Sequence, residues 1–184
     1  MIAYVRSNNV YLGVPKNGIA TFVPFLRKYG YKQINFVDVD LSSANIWGHI
    51  TDPEVRFVKG VAEYLSIHKD VDYDNPVISR MLVSGTYDPH TYTIHTMYGH
   101  LMKYNITWLP LNDTVTNEYF SNQNLNMVVE STDHYNRASE EDLLLRDKVK
   151  ELIKLYNLEY RELVKYVLQP DITLFNNAVK SSNK

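Results

Sequence analysis

A five-residue apolar run, Val10-Tyr11-Leu12-Gly13-Val14, ends at Pro15 and is followed within four residues by a helical pattern. The run reads as a buried strand delivered into a Pro15-Lys16-Asn17-Gly18 loop. Beyond it, Ile19, Phe22, Val23, Phe25 and Leu26 recur at three- and four-residue spacing, Arg27 and Lys28 occupy the last turn, and Gly30 supplies a stop. The order then repeats. Ile34 to Val39 reads as a second strand and Ile46 to Ile50 as a third, ending at Thr51-Asp52-Pro53. A second helix starts there, with Asp52 as N-cap, Pro53 at the first helical position, and Val55, Val58, Val61, Ala62 and Leu65 on one face. Strands alternating with helices predict an α/β fold with a parallel sheet covered by helices.

The rest of the chain is assigned by the same rules. Lys69 to Gly85 is a polar loop marked by Asp70, Asp72, Asp74, Asn75 and Pro76. Thr91 to Tyr104 reads as helix, Ile106 to Leu109 as strand, and the Asn-, Thr-, Ser- and Asp-rich stretch Asn112 to Arg137 as long loops over the sheet. Glu140 to Tyr156 is a helix capped by Ser139, with Glu140, Glu141 and Asp142 at its positive end. A last helix runs from Glu159 to Leu168 and stops before Pro170. A length of 184 residues suits one domain, read as residues 1–179 with a polar tail at 180–184.

Charge and cysteine content narrow the function. Lys and Arg number 19 against 21 Asp and Glu, a net charge of −2, which argues against a general nucleic-acid binder and makes any anion site local. The absence of cysteine excludes a disulfide framework, a thiolate nucleophile and a Cys-based zinc site, and suits a reducing compartment. The N-terminus shows no basic stretch leading into a long apolar run, and no segment approaches the ~20 apolar residues of a membrane span. The expectation is a soluble cytoplasmic protein with neither membrane nor nucleic acid as partner. Fifteen tyrosines suit core packing and a polar cleft equally.

Gly13 and Gly18 have the G-x-x-x-x-G spacing of a Walker A loop, but Ile19 and Ala20 stand where Lys and Ser/Thr are required, which disfavours an ordinary ATP or GTP hydrolase. The lysine lies inside the loop instead. Anion binding still has a physical basis: helix-start N–H groups from Gly18 to Thr21 lack intrahelical acceptors, Gly18 permits close approach, and Lys16 adds a positive charge. His90, His95 and His100 are spaced by five, about 140° apart on a helix, so they do not form a two-His metal face, which needs a separation of four.

Pro15-Lys16-Asn17-Gly18-Ile19-Ala20-Thr21 resembles the 5′-phosphosulfate loop of sulfotransferases that use 3′-phosphoadenosine-5′-phosphosulfate (PAPS), where Pro-Lys-x-Gly-x-x-Ser/Thr opens the first helix. Thr51-Asp52-Pro53-Glu54-Val55-Arg56-Phe57-Val58-Lys59-Gly60 is similar to the family's 3′-phosphate motif, Arg-Asp-Pro-x-x-Arg-Phe-x-Ser-Gly, with Thr51 in place of Arg and Lys59 in place of Ser. Asp88-Pro89-His90 resembles the Asp-x-His segment of carbohydrate-type members. His134-Tyr135-Asn136-Arg137-Ala138-Ser139 resembles their His-x-Asn-x-Ser loop, and Leu155 to Tyr160 their Leu-Tyr-x-x-Asp-Tyr ending. The resemblance implies a small, divergent carbohydrate-sulfotransferase-like chain with a P-loop-like three-layer fold, in which a short parallel sheet is flanked by helices.

It also implies residue roles. Pro15, Lys16, Asn17, Gly18, Ile19, Ala20 and Thr21 would hold the 5′-phosphosulfate, Thr51, Arg56 and Lys59 the 3′-phosphate, and Asn136 and Arg137 the closing loop. Lys16 would neutralise charge on the departing 5′-phosphate, leaving adenosine 3′,5′-bisphosphate (PAP) as product, with no metal required. The acceptor would be a small-molecule or sugar hydroxyl, and its general base His90 or Asp40, with Asp38 a further carboxylate near the same strand end. Each reading has a plainer counterpart: Arg56 and Lys59 as exposed helix charges, Asp40 as a turn former, His90 as a surface residue, His49 as a buried hydrogen-bonding group. Two other functions stay open, a catalytically lapsed PAPS- or PAP-binding module and an ATP-dependent kinase-like enzyme using Lys16.

Overall fold

The structure is a computed structural model, and it describes residues 2–34, 40–68, 88–130, 139–155 and 158–182. Five strands run over Ile2–Arg6 (β1), Asn9–Gly13 (β2), Lys32–Ile34 (β3), Asn45–Ile50 (β4) and Ile106–Pro110 (β5). Six α-helices span Ile19–Lys28 (α1), Pro53–Ile67 (α2), Ile94–Tyr98 (α3), Asp113–Asn122 (α4), Glu140–Leu155 (α5) and Leu158–Ser182 (α6), these counts being of the described residues. A 3₁₀ turn at Gly99–Leu101 follows α3. Contacts gather the chain into two compact units, one of Met1–Thr51, Tyr98–Asn136 and Leu174–Lys184, the other of Asp52–Met97 and Arg137–Thr173.

The first unit holds a sheet of order β3-β1-β2-β4-β5. β2, β4 and β5 are parallel, as expected, but β1 pairs antiparallel with both β2 and β3, so the sheet is mixed. The expected all-parallel sheet is corrected by a hairpin: Arg6 pairs with Asn9 across a two-residue turn in which Ser7 takes φ 51°. Every residue from Val10 to Val14 is buried, which requires cover on both faces of the central strand. On one face Tyr4, Tyr11, Trp47 and Leu109 pack with Phe22 and Leu26 of α1 and Tyr119 and Phe120 of α4. Each such ring or branched chain contributes about 1.5–3 kcal/mol by leaving water.

Local chemistry sets most helix ends. α1 closes as expected at Gly30, φ 83°, where Tyr31 N–H reaches Leu26 O at 3.0 Å. Asp52 caps α2, its carboxylate accepting from Glu54 N–H at 2.9 Å and Val55 N–H at 3.0 Å. In the second unit, Phe57, Val61 and Leu65 of α2 pack against Leu145 and Val149 of α5 and Leu168 of α6.

Three expectations differ from the structure. The stretch read as loops from Asn112 contains α4, because Asn112 Oδ1 caps Val115 N–H at 3.2 Å and Tyr119 and Phe120 dock on the sheet, overriding a polar composition. The expected helix over Thr91–Tyr104 is shorter, α3 and one 3₁₀ turn. The last helix does not stop before Pro170 but runs to Ser182, so α6 also takes in the start of the expected tail. Pro170 removes one helical hydrogen bond, while Leu168 and Asp171 on either side are buried and fix the turn by tertiary contacts. Expected strand residues beyond Ile34 lie outside the described residues.

Asn112→Ala removes the α4 cap, and urea unfolding should show a loss of about 1 kcal/mol.

Candidate functional site

The turn between β2 and α1 is built from left-handed backbone and one buried amide. Lys16 has φ 64° and Gly18 φ 76°; glycine takes that conformation freely, whereas for lysine it costs on the order of 1 kcal/mol. Gly18 is the N-cap of α1 and carries no side chain to fold back on the helix. The first helical bond is Phe22 N–H to Gly18 O at 3.0 Å, so the amides from Gly18 to Thr21 have no intrahelical acceptor. Pro15, Lys16, Gly18 and Ile19 are half-buried and Ala20 is exposed.

Asn17 is the loop's strut. It is 0% exposed, its Nδ2 donates to His49 O at 3.0 Å, and its Oδ1 accepts from Thr51 N–H at 3.3 Å and Thr51 Oγ at 2.7 Å. Bonding residues 49 and 51 on either side of Ile50 is the pattern a residue of a neighbouring parallel strand makes. The side chain thus adds one rung to β4 beyond its last pairing with β2, at Gly48. Asn17 N–H in turn donates to Val14 O at 3.1 Å, and Tyr98 Oη donates to Gly13 O at 2.7 Å. The expected phosphosulfate contact Asn17 therefore has its polar groups engaged inside the protein, and Thr51 has its hydroxyl engaged with it.

Beside this strut, His49 is fully buried and its ring is placed by a hydrogen-bonded series. Thr116 Oγ donates to Asn112 O at 2.7 Å, which leaves it to accept from His49 Nε2 at 3.1 Å, so Nδ1 faces the Tyr11 hydroxyl at 3.4 Å as acceptor. Burial pushes the imidazole down from 6.5 to about 3.

In the second motif Arg56 is not the exposed helix charge of the plainer reading. Arg56 is 1% exposed, and its Nη2 donates to Tyr92 O and pairs at 3.3 Å with Asp171, which is 0% exposed. Asp171 also accepts from Ile94 N–H at 2.8 Å and His95 N–H at 3.3 Å. Burial pushes Arg56 down and Asp171 up, desolvation outweighing their mutual attraction. Nε and Nη1 of Arg56 are buried and have no hydrogen-bond partner among the described residues. Lys59, three residues on, is half-buried.

The two base candidates occupy different settings. Asp40 is exposed and forms a turn, accepting from the N–H and hydroxyl of Ser42, which hold its carboxyl below the usual range. His90 is half-buried with Nδ1 at 2.9 Å from Asp88 Oδ1. Asp38, Asn136 and Arg137 lie outside the described residues. His95 and His100 are exposed, and among the described residues no three His, Cys, Asp or Glu side chains are grouped to hold a metal ion. A cavity of about 350 Å³ in the second unit, lined among others by Leu65, Asp142, Leu144 and Lys148, contains none of the candidate site residues.

The chain matches no protein-family model, no curated protein and no solved structure. Among the described residues no helix is long and apolar enough to cross a membrane.

Asn17→Leu leaves His49 O and Thr51 N–H without their partners and should lower the unfolding free energy by about 1–3 kcal/mol in urea titrations. His49 adds a pH signature. The unfolded ring takes up a proton below pH 6.5 while the folded one refuses it until about pH 3. Stability therefore falls as the pH drops through that window, by at most about 1.4 kcal/mol per pH unit from this group. His49→Gln should flatten this slope in unfolding curves measured between pH 4 and pH 7, whatever it does to stability at neutrality.

Proposed function

We propose that the chain is a PAPS-dependent sulfotransferase that moves a sulfuryl group to the hydroxyl of a sugar or small molecule. The observation that carries this reading is the β2–α1 turn: a lysine and a glycine in left-handed backbone, four helix-start amides without intrahelical acceptors, and a buried asparagine that ties the turn to the end of β4. Such a turn suits a multiply charged oxyanion, because the amides and helix dipole favour negative charge and the tie keeps them preorganised. PAPS supplies the activated sulfuryl group. Lys16 neutralises the charge that grows on the leaving 5′-phosphate oxygen, and the amides from Gly18 to Thr21 orient the non-bridging oxygens. Engagement of the Asp40 carboxylate with Ser42, which holds it in its weakly basic form, counts against Asp40 as the base. The reading assigns Lys59 of the second motif to the 3′-phosphate.

A lapsed PAP-binding module is the second reading, favoured by the engagement of Thr51 with Asn17 and of Arg56 with Asp171, which leaves the 3′-phosphate motif with fewer presented groups. Titration calorimetry with PAP, followed by a sulfate-transfer assay on sugar and phenol acceptors, separates the two. The wild-type chain should bind PAP and transfer sulfate, and Lys16→Met should lower the rate by on the order of 10²–10³. Binding without transfer to any acceptor would favour the module. Magnesium-dependent ATP binding with no preference for a 3′-phosphate would favour a kinase-like enzyme over both.

A further inference from the structure

Asp88 and His90 form a pair within the second unit whose geometry is more specific than two neighbouring polar residues require. One carboxylate oxygen of Asp88 accepts from both the His90 backbone N–H at 2.8 Å and the ring Nδ1 at 2.9 Å. An ionised carboxylate offers acceptors only, so Nδ1 carries the proton, and in the neutral ring the lone pair lies on Nε2. Asp88 is 16% exposed and His90 32%, so the pair is sheltered yet reaches solvent.

The segment carrying the pair is fixed from several sides. Thr91 donates to Asp88 O through its N–H at 3.0 Å and its hydroxyl at 2.9 Å. Arg56 holds Tyr92 O, and Asp171 holds the amides of Ile94 and His95. Gly60 of α2 meets the His90 backbone directly: a Cβ there would stand 2.8 Å from the His90 carbonyl carbon, closer than real contacts of that kind. A glycine required by close approach and a buried ion pair therefore bear on the backbone beneath one imidazole.

We propose that Asp88 is a positioning residue for His90, locking the ring with Nε2 outward as proton acceptor for a hydroxyl substrate, while Gly60 and Arg56 hold the segment that carries the pair. The catalytic use of the pair rests on the sulfuryl-transfer reading above. In that transfer the acceptor O–H gives its proton to Nε2 as the acceptor oxygen bonds to sulfur. The bond from sulfur to the 5′-phosphate oxygen breaks, and that oxygen keeps the electron pair. The imidazolium so formed stands against the Asp88 carboxylate, which stabilises its charge.

The test uses the full chain with ¹⁵N-labelled histidines, the ring protonation read by long-range ¹H–¹⁵N correlation with the imidazole neutral. Wild type should show His90 protonated on Nδ1, Asp88→Ala should give a mixture of tautomers, and Asp88→Asn, which keeps an acceptor, should restore the single form. With PAPS and a hydroxyl acceptor, Asp88→Ala should lower kcat by on the order of 10² with KM little changed. A wild-type His90 protonated on Nε2, or a folded Asp88→Ala chain with an unaltered ring, overturns the positioning role even if transfer is observed. Should Asp88→Ala not fold, the wild-type and Asp88→Asn rings decide. A wild-type chain that neither binds PAP nor transfers sulfate overturns the sulfuryl-transfer reading and the catalytic use with it, while the ring measurement still decides the positioning, so the two failures are told apart.

Discussion

The Asn17 carboxamide is the constraint on which the β2–α1 turn depends. A turn with two left-handed residues does not continue the backbone ladder of the strand it leaves, yet it has to be held if its amides are to face a ligand. The buried side chain resolves this by imitating the peptide group of a next-door strand, bonding on both sides of Ile50. The holding is done by a side chain, and the backbone donors at the start of α1 have no intrahelical acceptors. The result lies at the C-terminal ends of parallel strands, where open α/β sheets commonly take their ligands.

The buried Arg56–Asp171 pair works differently. Both charges are taken out of water, and the directions in which their proton affinities move indicate that burial costs more than their attraction returns. Its value is geometric. Arg56 fixes the Tyr92 carbonyl and Asp171 the first amides of α3, so two charges on α2 and α6 set the course of the segment between them, as buried ion pairs do where they specify an arrangement more than they stabilise it.

What was legible in the sequence was local. Gly30 as a helix stop, and Asp52 with Pro53 as a helix start, follow from chemistry within four residues. What was hidden depended on distant partners. Asn17 finds its acceptors and donors 32 and 34 residues away, and Arg56 finds Asp171 across 115, so neither spacing nor composition marks them. α4 was masked by Asn, Thr and Ser because its stability comes from Tyr119 and Phe120 against the sheet. β1 had a visible signature, an apolar stretch before Ser7-Asn8, but its antiparallel direction is set by that two-residue turn and not by strand–helix alternation.

The β1–β2 hairpin also bears on the order in which the sheet assembles. Joining Arg6 to Asn9 closes one of the shortest loops a chain can make, whereas β4 meets β2 only after some thirty intervening residues, and β5 meets β4 after about fifty more. Chain entropy penalises the later closures more, and isolated hairpins form in about 1–10 μs. The strand that feeds the Lys16 turn thus has, in β1, the neighbour whose pairing costs the least chain entropy of any in the sheet.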